Sequence, residues 1–111
     1  MEVTSIKANL QEVTTGFEGN PIPDPHCDIM VNLECPDYPY RIGFKLPYPI
    51  SFMQESSTTD ILEHFITHFK AALDKYGPKN NLSFNLSKEH FDIVKQEVYN
   101  CIEHYKRDND L

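Results

Sequence analysis

Ile6, Ala8 and Leu10 alternate with Lys7, Asn9 and Gln11, the period-two pattern of a strand that buries one face and wets the other. This predicts a first strand over residues 3–15. Val13 falls out of phase with that apolar set, which predicts either a bulge near Gln11 and Glu12 or a far end covered on both faces. Residues 16–25 hold two glycines and three prolines. Proline has no backbone donor for a ladder, so this stretch is expected to be an irregular connection and the longest loop.

Ile29, Val31 and Leu33 alternate with Asp28, Met30, Asn32 and Glu34, and Tyr40, Ile42, Phe44 and Leu46 alternate with Arg41, Gly43 and Lys45. These are the second and third strands. The turn-like Cys35-Pro36-Asp37 between them makes an antiparallel pairing the shortest connection, so residues 1–52 are expected to form a meander.

The period then changes. Ile61, Leu62, Phe65, Ile66, Phe69, Ala72 and Leu73 follow three-four spacing and put one apolar stripe on a helix. Ser57, Thr58 and Thr59 ahead of Asp60 and Glu63 suit its start, and Gly77-Pro78 is expected to stop it after Tyr76. Leu82, Phe84 and Leu86 alternate with polar residues as a short fourth strand or extended connection would. Ser87 can cap a second helix with the stripe Phe91, Val94, Val98, Cys101, Ile102 and Tyr105. Its late cations suit a helix C-terminus.

Two striped helices after a one-faced sheet close a core by lying on the apolar face. The expected fold is therefore α+β: an antiparallel three- or four-stranded sheet with two C-terminal helices packed on one face, in the order βββα(β)α. A single domain over residues 1–111 is expected, with the helical part at 57–106 and a frayed tail at 107–111.

Composition supports a folded chain, since 40% hydrophobic and 24% charged residues lie far from the signature of disorder. The net charge of −7 changes the picture more, because Lys7, Arg41 and Lys45 are the only cations among residues 1–55. A field of that sign repels nucleic acid and favours a basic partner. The N-terminal residues lack a basic start and an apolar run, and no segment has the apolar length of a membrane span. Three cysteines at irregular spacing argue against a disulfide framework, so a cytoplasmic location is expected. The glycosylation sequons at Asn81 and Asn85 would then never meet that chemistry.

Candidate chemistry is sparse. His26 and Cys27 are neighbours in sequence, but successive strand residues face opposite ways and cannot share a proton. Cys27, Cys35 and Cys101 fall on apolar stripes and are expected to be small buried hydrophobes. His64 and His68, four apart on a helix, could hold a transition metal; with no third ligand at a telling spacing, a solvated pair is the expectation. His90 and His104 sit in the first and last turns of the second helix as polar groups. No phosphate loop, nucleophile elbow or CxxC pair is present. No catalytic residue, metal or cofactor is therefore expected.

Binding is the remaining class. Residues 36–52 carry Tyr38, Tyr40, Phe44, Tyr48 and Phe52 among four prolines, a stiff aromatic surface. In the ordinary account Tyr40 and Phe44 are core, Tyr38 and Tyr48 cap sheet edges, and Arg41 and Lys45 pair across strands with Asp28 or Glu34. In the functional account Tyr38, Tyr40, Arg41, Lys45 and Tyr48 form a contact surface. Gly43, flanked by the two cations, marks either a close approach or a bulge.

Three functions compete on these grounds. The first is a small acidic module that docks on a basic surface of a larger protein, as an inhibitor, immunity or antitoxin-like factor would. The second is an oligomeric protein binding a small anionic, nucleotide-like ligand through Arg41, Lys45 and the tyrosines. The third, a DNA-mimic inhibitor, needs acids spaced like phosphates on one face. In each, the open sheet face and edges leave room for a homo-oligomer.

Overall fold

The structure, a computed structural model, describes residues 3–36, 42–79 and 86–111. Three strands, β1 (Ser5–Thr15), β2 (Pro21–Glu34) and β3 (Ile42–Pro49), precede three helices, α1 (Ile50–Glu55), α2 (Thr58–Lys79) and α3 (Lys88–Asp108). The strands form an antiparallel meander in the order β1-β2-β3, so the α+β expectation holds. Of the anticipated fourth strand, Leu82 and Phe84 lie outside the described residues; Leu86 is non-helical and packs on the core.

Register converts the period-two pattern into rows across the sheet. Ile6, Leu33 and Ile42 align, as do Ala8, Val31 and Phe44, and then Leu10, Ile29 and Leu46. The next row is Glu12, Cys27 and Tyr48. These rows make the inner face, and the residues between them face away from the helices. The central strand is deepest, with Cys27, Ile29 and Val31 fully buried and Leu33 nearly so.

α3 lies against β1 and β2, while α2 lies against β3 and α3. Val94, Val98 and Ile102 of α3 and Ile61, Phe65 and Phe69 of α2 complete the interior. Phe44 meets Phe65 edge-on with centroids 5.4 Å apart, and Phe69 meets Phe44 at 5.6 Å and Phe91 at 6.1 Å. Sheet and both long helices are thus joined through one aromatic cluster.

Both long helices start where the sequence places them. The Ser57 hydroxyl accepts from the Asp60 amide at 3.1 Å, and Ser87 does the same for the His90 amide, whose own ring reaches back to the Ser87 N–H as a capping box. α2 runs on through Gly77 and Pro78 to Lys79 instead of stopping after Tyr76. A proline in the final turn removes a single donor there, and the helix has no further turn to lose.

Two expectations about the first half are corrected. Pairing is regular from Ser5 opposite Glu34 to Val13 opposite His26, so no bulge lies at Gln11 and Glu12. The register breaks later, between Val13 and Thr15, where β2 spends residues 22–25 opposite Thr14 alone. The anticipated long loop is instead a tight turn followed by strand, because the prolines sit at or near that bulge and forfeit little ladder bonding.

α1 was not foreseen. Six residues are too short for a helical period to declare itself, and the segment is held from outside. Met53 is fully buried, and Lys106 of α3 donates to the carbonyls of Met53 at 3.1 Å and Ser56 at 2.6 Å.

Candidate functional site

Among the sequence candidates, Tyr38, Tyr40 and Arg41 lie outside the described residues. Lys45 is exposed on the outer face with its ammonium 3.9 Å from the Asp28 carboxylate, the cross-strand pair of the ordinary account. Tyr48 is 3% exposed and belongs to the interior, not to a contact rim. It shares the parity of Ile42, Phe44 and Leu46, and the flanking Pro47 and Pro49 occupy only outward positions, so the alternation extends one step further than the prolines suggest.

A buried tyrosine needs a partner for its hydroxyl. Tyr48 finds one in His64 Nδ1 at 2.8 Å, which explains the histidine pair on α2. The His68 Nδ1–H donates to the His64 carbonyl at 2.9 Å, and the two rings stack with centroids 4.2 Å apart. Among the described residues no three His, Cys, Asp or Glu side chains come together as a metal would need.

Desolvation, and then the neighbouring His68, push the His64 pKa below the ordinary histidine value. In the neutral form Nδ1 accepts from the Tyr48 hydroxyl. The unfolded chain therefore takes up more protons than the native one just below pH of about 6.5. The stability this contributes is complete above that pH and is lost as pH falls through the lower folded value. Melting curves between neutral and mildly acidic pH should show His64→Gln with a flatter decline than the parent protein. Parallel declines would remove His64 as the origin.

Gly43 stands directly opposite Asn32 with no bulge. A Cβ there would come within 3.1 Å of the Asn32 side-chain oxygen, so the close approach is made by the protein's own amide. Cys27 on the inner face of β2 and Cys35 just beyond that strand are buried as expected, and Cys101 is half-buried on α3. Burial pushes the Cys27 and Cys101 thiols up, away from the thiolate that nucleophilic chemistry requires. Tyr105 of α3 lies near Cys27 and Glu12, at the end of the inner face of β1.

The accessible features lie elsewhere, at the end of the molecule where β1 and β2 turn. Phe17 is 85% exposed, the most exposed large hydrophobic residue of those described. The turn holding it is built with care. Gly16 N donates to Asn20 O at 2.7 Å, and the Asn20 side chain donates to Phe17 O at 3.1 Å. Glu18 and Gly19 take left-handed φ angles of 58° and 76°. For glutamate this conformation costs about 1–2 kcal/mol, strain of the kind that collects at functional sites. Gly16 lacks the side chain that would crowd Ile22 at 3.0 Å.

Beside the turn runs an open groove of about 530 Å³, walled by Pro23 and Pro25 of the β2 bulge and by Pro47 and Pro49 of β3. Asp24, His26 and Ser51 are its polar lining residues. The His26 Nδ1–H donates to the Asp24 carbonyl at 2.9 Å, and Nε2 stands 3.3 Å from the Asp28 carboxylate. No lysine or arginine occurs from Ala8 to Tyr40, while Glu12, Glu18 and Asp24 are exposed. The hairpin is an acidic arm with an aromatic tip. An aromatic between two glycines was the available sequence signal for it.

A second cleft of about 270 Å³ between β1 and α3 is lined by Leu10, Cys101, His104 and Asp108, the last two paired at 3.2 Å. No described helix is long and apolar enough to cross a membrane. Comparison with family models, with curated proteins and with solved structures finds no match to this chain.

Proposed function

We propose that this protein is a non-enzymatic binding module that inserts the Phe17 tip of its acidic hairpin into an apolar pocket rimmed by lysine or arginine on a larger protein. The observation that carries the reading is the 85% exposure of Phe17 on a turn with internal hydrogen bonds and left-handed strain. A solvent-exposed phenylalanine on a fixed backbone loses little entropy on docking, which is the economy of an interface anchor. The surrounding carboxylates steer it toward a basic surface.

An anionic ligand on the outer sheet face has less support, because Lys45 is engaged with Asp28 and Tyr48 is interior. The test is photo-crosslinking in the native host, with benzoylphenylalanine placed at Phe17 or, as a control, at the exposed Ile93 of α3. The expected result is one discrete adduct from position 17, weakened by salt, whose partner peptide is flanked by lysine or arginine. No adduct from position 17, or the same adducts from both positions, would sink the proposal.

A further inference from the structure

We infer that the proline-walled groove is a subsite for an arginine side chain of the partner, an inference that rests on the docking role proposed for the hairpin. Residues 21–25 are Pro-Ile-Pro-Asp-Pro, so this stretch carries a carbonyl at every residue but a backbone N–H only at Ile22 and Asp24. Such a stretch, bulged opposite Thr14, offers more acceptors than donors even with the Asp24 carbonyl already taken by His26. It resists a visiting β-strand, which must exchange donors and acceptors in alternation, and favours a group that only donates.

Guanidinium is that group, with five donors and no acceptor. Its aliphatic stem suits the walls of Pro23, Pro25, Pro47 and Pro49, which are apolar and rigid. The electrostatics agree. Asp28 is shared between His26 and Lys45, whereas the exposed Asp24 carboxylate makes no ion pair among the described residues and stands at the groove. His26 lines the groove with its Nδ1–H held by the Asp24 carbonyl, which fixes the ring and offers its flat face to stacking. Arginine uses every one of these features; lysine, a strongly hydrated point charge, uses fewer.

The experiment is an amide-resolved NMR titration of the full chain with a capped Gly-Arg-Gly peptide, and with the lysine and glutamate counterparts. Saturable shifts at the Asp24 and His26 amides are expected at millimolar arginine peptide, smaller ones with lysine and none with glutamate. Asp24→Asn should weaken the arginine response about two- to fivefold, the size of one partly exposed ion pair. Glu97→Gln on α3, the same change in net charge, should leave it unchanged. No saturable shift, an equal response to glutamate, or equal losses in the two variants would overturn the assignment. Loss of this response with the position-17 adduct intact removes the arginine subsite alone, and the converse removes the Phe17 reading alone.

Discussion

Phe65→Ala is expected to lower the unfolding free energy by about 3–5 kcal/mol, measured by urea denaturation. That is a large part of the roughly 5–15 kcal/mol that holds a small domain together. Phe65 is fully buried, meets Phe44 edge-on at 5.4 Å and stacks on Phe69 at 6.3 Å. Its removal leaves a void walled by β3 and α2, neither of which can move in without breaking the Phe44–Phe69 contact at 5.6 Å. Phe17→Ala removes the same ring from an 85% exposed position and should change stability by less than about 0.5 kcal/mol. The contrast separates the two jobs a phenylalanine does here, one holding the fold and the other available to a partner. Equal costs at the two positions would mean that the hairpin tip packs against the body and is no free anchor.

Period and parity carried the fold a long way from the sequence. Ile29, Val31 and Leu33 are all at most 1% exposed, as their alternation requires, and Val94, Val98 and Ile102 are buried as their stripe requires. What failed were features decided by contacts distant in sequence. Glu12 keeps the inner-face parity at an exposed end of β1, near Tyr105 of the last helix. The prolines of residues 21–25 looked like a loop because proline opposes a ladder; the broken register there removes the ladder from them.

The proposed contact surface was less legible still. The aromatic-proline stretch is unusual in composition, yet Tyr48 from it is core and Pro47 and Pro49 form a wall. Phe17 lies in the stretch whose glycines and prolines predict an irregular connection. One exposed aromatic makes no period, and its significance comes from the bonded backbone beneath it.

The last helix reaches the proposed subsite through a single cation. Lys106→Met is expected to cost about 2–3 kcal/mol, because a charged donor shared by two carbonyls is lost where solvent reaches only in part. α1 has six residues and cannot persist alone, so its C-terminal carbonyls at Met53 and Ser56 depend on the Lys106 ammonium as a cap. The damage should be local first: hydrogen exchange at the Ser56 amide, which bonds Phe52 O at 3.0 Å, should accelerate before that of α2. α1 begins at Ile50, directly after the Pro49 wall of the groove. Loosening it should therefore weaken the arginine-peptide response although Asp24 and the Phe17 turn are untouched. If exchange in α1 is unchanged in Lys106→Met, the cap holds nothing, and the link from α3 to the groove goes with it.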